Sequence, residues 1–174
     1  MCDNFTPNGG KPMLTRLFTL LSAVALLAGL AQPSLAQVTL TAPAVPTRTT
    51  PDKAYMQKIW TAWATLDPAN VAGYYATGPH TFFDIAPVKY NSWAEYDAGV
   101  KQVLAGYKSA TCTVNDDAVV HPHGDLAWGT ATINYQMTAK TGKIEMGAMR
   151  WTVVWEKQDG NWLIVHEHVS EPVQ

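Results

Sequence analysis

The apolar positions of this chain change period part-way along it. Between residues 51 and 66, Tyr55, Met56, Ile59, Trp60, Trp63 and Leu66 recur three and four apart, which lays one apolar face along a helix. Thr50-Pro51-Asp52 in front of them supplies a cap, a proline at the first helical position and an acid in the first turn. Asp67-Pro68 repeats the device and opens a short second helix carrying Val71, Tyr74 and Tyr75. A brief strand or hairpin, HTFFDI, follows at 80–85. Ser92-Trp93-Ala94-Glu95 then has the spacing of a capping box. Behind it Trp93, Tyr96, Val100, Val103, Leu104 and Tyr107 predict a third amphipathic helix.

From residue 110 the period shortens to two. Four strands are predicted: TCTVNDDAVV (111–120), DLAWGTATINYQMTA (125–139), KIEMGAMRWTVVWEK (143–157) and WLIVHEHVS (162–170). Lys140-Thr141-Gly142 and Asp159-Gly160 supply the hairpin turns between the last three. Helices first and an antiparallel meander afterwards make an α+β domain, with the helices laid on one face of the sheet. Strands of about 15 residues are long for a globular domain. A sheet of such strands curls, and helices across its mouth close off a cone-shaped pocket.

Ahead of the domain the pattern is different. Residues 13–36 read MLTRLFTLLSAVALLAGLAQPSLA, with a basic start at Arg16, an apolar run from Leu17 to Leu30, and small residues at Ser34 and Ala36. That is the layout of a secretory signal peptide, cleaved before Gln37. The run is shorter than the roughly 20 residues a spanning helix needs. The expected product is secreted or periplasmic and keeps no membrane segment after cleavage. The twelve residues before Met13 read as lying upstream of the true start, residues 37–50 as a flexible leader, and 51–174 as the one folded domain.

Charge and cysteine content narrow the function classes. With Lys11, Arg16 and Asp3 removed with the leader, ten basic and thirteen acidic residues remain, a formal charge of −3 without any basic run. Nucleic acid and an anionic membrane surface are therefore poor partners. Cys112 alone survives processing, so no intramolecular disulfide forms. No nucleophile motif, glycine-rich phosphate loop or cysteine pair is present, which leaves covalent, nucleotide and redox chemistry without support.

The last strand raises the chemical question. Strict alternation places His166 and His168 on one face with Trp162, Ile164 and Ser170, and Glu167 on the other with Leu163, Val165 and Val169. A two-residue Asp159-Gly160 loop sets Glu167 opposite Thr152 and diagonal to Arg150; a three-residue loop sets Arg150 opposite His168 instead. Arg150 is the sole arginine of the domain and sits in an apolar stretch, so it needs a partner. Glu167 is the natural one, and the sharper alternative is that Arg150 anchors a ligand carboxylate or enolate. His166 and His168, with His121 and His123, form two H-x-H pairs. Pro122 bends the second pair into a turn, and no acid completes a set of about three ligands. No metal and no cofactor is expected. Asp84, in the aromatic run TFFDIAP, is the best placed carboxyl for acid–base work; its plainer role is to cap a turn before Pro87.

VWEKQDGNWLIVHEHVSEP resembles the nuclear transport factor 2-like superfamily, and within it the SnoaL-like branch and the association (hub) domain of calcium/calmodulin-dependent protein kinases. Thr152, Val154, Trp155, Asp159, Gly160, Trp162, Ile164, Val165, His166, His168 and Ser170 carry the resemblance, and the helices agree in order and length over residues 50–172. It implies a conical barrel of three N-terminal helices packed on a curved antiparallel sheet, nuclear transport factor 2-like and cystatin-like, usually a homodimer, with a pocket between helices and sheet. Kinase hub domains tend to carry Arg where this chain has Val153 and Val169, so an anion-lined pocket is not implied. Members include steroid isomerases, polyketide cyclases, dehydratases and modules without catalysis, so the fold implies a pocket rather than one reaction. By analogy with ketosteroid isomerase, Asp84 would be the base, with His168, His166 or a tyrosine polarising a carbonyl. Arg150 would steady charge, and Trp60, Trp63, Tyr74, Phe83 and Trp93 would meet the ligand. The expected partner is a small hydrophobic carbonyl compound, isomerised, cyclised or hydrated. The alternative is a non-catalytic ligand-binding or dimerisation module.

Overall fold

The computed structural model describes residues 49–85 and 87–173. The signal peptide, its cleavage point and most of the 37–50 leader lie outside the described residues. Among the described residues no helix is long and apolar enough to cross a membrane.

Helix α1 (Lys53–Trp63) buries Tyr55, Met56, Ile59, Trp60 and Trp63, the face its periodicity marks. Its cap is Asp52 rather than Thr50, with the carboxylate accepting from the Tyr55 N–H at 2.7 Å, so Pro51 precedes the cap. The expected second helix is two 3-10 turns, Pro68–Asn70 and Ala72–Tyr74. Asp67 caps the first turn through the Ala69 N–H at 3.0 Å, but so short a run, with Gly73 in it, cannot repay helix nucleation. Helix α2 (Trp93–Leu104) starts at the Ser92 cap. Glu95 reaches back to the Asn91 N–H at 2.8 Å, one residue beyond the reciprocal bond of a standard capping box. The helix stops before Tyr107, which begins the sheet.

The strands are β1 (Phe82–Phe83), β2 (Tyr107–Val114), β3 (Val119–His123), β4 (Leu126–Ala139), β5 (Ile144–Gln158) and β6 (Asn161–Ser170). They lie in the order β1-β6-β5-β4-β2, with β3 sharing the outer edge of β4, in a curved and unclosed sheet. The stretch expected as one strand at 111–120 breaks at Asn115-Asp116-Asp117, residues poor in strands and good in turns, where the Ala118 N–H donates to the Asn115 carbonyl. Asp159 and Gly160 both take positive φ, 52° and 82°, the conformation a two-residue hairpin turn requires.

One irregularity decides what β6 presents to the core. Gln158 pairs with Asn161 and Trp155 with Ile164, as a two-residue loop dictates, but Val154 then pairs with His166. Val165 is the extra residue of a β-bulge, and from there on every side chain changes face. Trp162 and Ile164 are buried before it, Glu167 and Val169 after it. His166 and His168 are turned outward. The expected alternation through the whole strand is thus corrected, and so is the pairing: Glu167 lies opposite Val153, His168 opposite Thr152, and Arg150 opposite Ser170.

Candidate functional site

Glu167 is the only buried charged residue among those described, 1 % exposed. Its surroundings explain how the core tolerates it. Oε2 accepts from the Trp151 ring N–H at 2.8 Å and Oε1 from the Tyr75 hydroxyl at 2.9 Å. The Tyr75 oxygen in turn accepts from the Trp63 ring N–H at 3.0 Å. An indole nitrogen can only donate, so the direction of this chain is fixed from both ends and the Tyr75 proton must point at Glu167. Burial nevertheless outweighs the donors Tyr96, Trp151 and Tyr75 and lifts the Glu167 carboxyl to about 7, with the nearby Asp84 charge adding to the rise. The Tyr75 and Tyr96 phenols are pushed well above their ordinary value, first by burial and then by the Glu167 charge.

Asp84 is the second carboxyl of the group. β1 pairs in parallel with β6, Phe82 beside Glu167 and Phe83 beside His168. Phe82 is buried and stacked on Tyr96, at 5.3 Å between ring centroids, while Phe83 faces out. Asp84, next in the alternation, comes back to the inner side and is half-buried. It accepts from the Ile85 N–H at 2.7 Å and from Tyr96, yet burial still raises its pKa. Tyr96 therefore stands between the two carboxyls and interacts with both. A phenol has one proton to donate, so both carboxyls bond to Tyr96 only when one of them is itself protonated. Its one proton serves one of the two carboxyls at a time.

This group adjoins a cavity of about 340 Å³. Trp60, Trp63 and Leu66 close one side, Tyr96, Val100, Val103 and Leu104 of α2 another, and Asp84 opens directly onto it. Leu66 holds a φ of 63°, a strained left-handed turn that puts its side chain on the wall. The sheet contributes Tyr107, Cys112, Tyr135, Met137 and Met149, and the solvent side ends in Glu145 and Glu171. Gly147 faces Tyr135 across β4 and β5, and a Cβ there would lie 2.8 Å from the phenol oxygen. Glycine is what lets that ring lie across the strand and donate to Glu171 at 2.6 Å. Burial pushes the Cys112 thiol up to about 11, so it stays protonated and unreactive. The ring N–H of Trp60 has no acceptor among the described residues.

A family model described as SnoaL-like domain matches residues 53–174. The chain belongs to the SnoaL-like domain family. No curated protein sequence matches it. Among solved structures, a protein of Xanthomonas campestris described as a candidate calcium/calmodulin dependent protein kinase II association domain is 26 % identical, with a TM-score of 0.61 over 70 % of this chain and 85 % of that one. A nuclear transport factor 2-like superfamily protein of Salmonella enterica is similar at 17 % identity and TM-score 0.61, over 70 % and 92 %. A candidate dehydratase of the nuclear transport factor 2-like family from Streptomyces avermitilis is similar at 15 % and 0.61, over 72 % and 100 %. The fold is the nuclear transport factor 2-like, cystatin-like one.

In this SnoaL-like domain the residues singled out by sequence divide sharply. Asp84, Trp60 and Trp63 line the cavity. Trp93 stacks on Tyr75 at 4.4 Å behind them, and Tyr74 is buried against Tyr55, 5.6 Å between ring centroids. Phe83, 37 % exposed, packs its edge on His166 and His168 outside the sheet. His166 Nδ1 lies 2.7 Å from the Thr81 carbonyl, tying β6 to the segment before β1. Arg150 is exposed, and its guanidinium donates to the Glu171 backbone carbonyl at 2.7 Å, so its partner is that carbonyl rather than Glu167. Among the described residues no group of three metal-ligating side chains converges. Sequence reasoning missed Glu167, Tyr75, Tyr96 and Trp151 as a connected set. The signal for Glu167 was its place by alternation on the face of Leu163, Val165 and Val169, the more apolar face at that end of the strand.

Proposed function

We propose that the cavity binds a small, largely apolar carbonyl compound and that Asp84 moves a proton on it, in an isomerase, cyclase or hydratase reaction. The observation that carries this is the half-buried Asp84 on the apolar cavity wall, beside Tyr96 and the buried Glu167, with Asp84 alone of the two carboxyls reaching that wall. A carboxylate raised by burial is a stronger base than one in water and suits chemistry near neutrality. Asp84 takes the proton from the carbon beside the carbonyl. Glu167 in its protonated form donates to Tyr96, and Tyr96 donates to Asp84, which holds Asp84 in its ionised state until substrate arrives. The candidate dehydratase among the structural neighbours is consistent with such chemistry on this fold.

The test is proton exchange into a panel of cyclic ketones in D2O, followed by NMR. The wild-type protein is expected to speed exchange at the carbon beside the carbonyl. Asp84→Asn is expected to cut that rate by about 10²-fold or more while the fold persists. Unchanged exchange in the variant removes Asp84 from the mechanism.

A second reading, assembly, has its own support. The outward sheet face carries Phe83, Leu126 and Trp128, the last 42 % exposed and stacked on His121 at 4.1 Å. An association domain is among the structural neighbours. On this reading a second copy docks there, and the chain works as an exported homodimer cleaved before Gln37. Native mass spectrometry of the protein from the exporting cell reads both features, and a monomer that still carries residues 1–36 refutes both.

A further inference from the structure

The ionisable groups on the cavity wall are all acidic. Asp84 lies at the inner end, Glu145 and Glu171 at the solvent-facing lip, and no lysine, arginine or histidine lines the space between. The two lip carboxylates are held in place by phenols. Tyr135 donates to Glu171 Oε1 at 2.6 Å and Tyr107 to Glu145 Oε2 at 2.7 Å. Each carboxylate keeps its own phenol protonated: the Tyr107 pKa is raised first by its bond to Glu145, and the Tyr135 pKa is pushed up to about 12, first by its bond to Glu171. Glu145 also meets Lys143 at 2.8 Å, but Glu171 has no side-chain cation among the described residues. The nearest candidate, Arg150, places its guanidinium on the Glu171 backbone carbonyl instead. Aromatic walls, Trp60 and Trp63 inside and Tyr107 and Tyr135 at the lip, complete the cavity.

We propose that this cavity selects apolar molecules that carry a protonated amine. The ammonium sits at the lip between Glu171 and Glu145, against the ring faces of Tyr107 and Tyr135, and the apolar body lies on Trp60 and Trp63. Carboxylates favour the cation through space, and electron-rich ring faces add to the attraction where water is partly excluded. A carboxylate or phosphate ligand would meet like charge at both ends of the cavity. The proposal rests on the small-molecule reading above and adds the charge class of the ligand.

Three probes of one skeleton separate the two claims: 2-naphthylmethylamine, 2-naphthalenemethanol and 2-naphthoic acid, titrated calorimetrically into the purified protein at pH 7. The amine is expected to bind at least tenfold more tightly than the alcohol, and the acid at least tenfold more weakly. Glu171→Gln keeps an acceptor for Tyr135 and is expected to bring the amine to within about threefold of the alcohol. Val103→Trp, a substitution at a half-exposed wall position, is expected to block all three probes. Equal binding of amine and alcohol, or an acid as tight as the amine, overturns the charge proposal and leaves the small-molecule reading intact. An amine preference that survives Val103→Trp places the binding elsewhere and overturns the proposal as well. Failure of all three probes to bind overturns both.

Discussion

The two sides of strand β6 carry consecutive ionisable residues with opposite lives. On the outer side His166 and His168 stand against an exposed phenylalanine, with one backbone carbonyl for company. On the inner side Glu167, one residue from each, is sealed among Trp151, Tyr75 and Tyr96 and linked to a second carboxyl. Residue type alone favours the histidines as chemistry, since their ordinary pKa lies near neutrality. Burial reverses that order. A carboxyl taken out of water is lifted to about 7, and it is the group that reaches the cavity's acid–base network. What decides between the two sides is the single extra residue at Val165.

Glu167→Leu should break the contrast most completely. It leaves the Tyr75 hydroxyl and the Trp151 ring N–H without acceptors, and the expected loss is about 2–4 kcal/mol in urea denaturation at pH 5. His168→Leu, on the outer side of the same strand, should change the same measurement by less than about 0.5 kcal/mol.

A subtler variant separates burial from hydrogen bonding. Because the folded-state pKa of Glu167 is raised to about 7, the folded protein holds a proton that the unfolded chain releases from about pH 4.5 upward. Stability from this group is therefore fully present at low pH, is lost as pH rises through that window, and levels off above 7. The whole effect is on the order of 3 kcal/mol. Glu167→Gln cannot ionise, and its stability is expected to vary much less over the same window. Denaturation midpoints at pH 5, 6, 7 and 8 for the two proteins check this; parallel curves would remove the buried carboxyl as their cause.

Much of the fold is legible in the residues, and the reasons are local. The apolar faces of α1 and α2, the Ser92 and Asp67 caps and the left-handed turn at Asp159-Gly160 each depend on a few neighbours in sequence. The long hairpin of β4 and β5 follows from plain alternation. The site is less legible because its contacts are distant: Tyr75 and Glu167 are 92 residues apart. Helical spacing shows that Tyr96 faces inward but not that two carboxyls await it there. Asp84 could be picked out because its aromatic neighbours mark it locally. Unbroken alternation with a two-residue loop sets Glu167 diagonal to Arg150, because it has no place for a bulge. The apolar company of Leu163, Val165 and Val169 on the Glu167 face was the available clue.

The coupling of Glu167 to Asp84 is tested most directly at the carboxyl carbon of Glu167. Its shift can be followed by NMR against pH in the wild-type protein and in Asp84→Asn, with glutamate labelled and Glu167 assigned from Glu167→Gln. A midpoint near 7 is expected in the wild type. Asp84→Asn should lower it, because the charge that opposes ionisation of Glu167 is gone. A midpoint at the ordinary glutamate value, or one that ignores the loss of Asp84, would contradict the coupled pair on which the proposed chemistry stands.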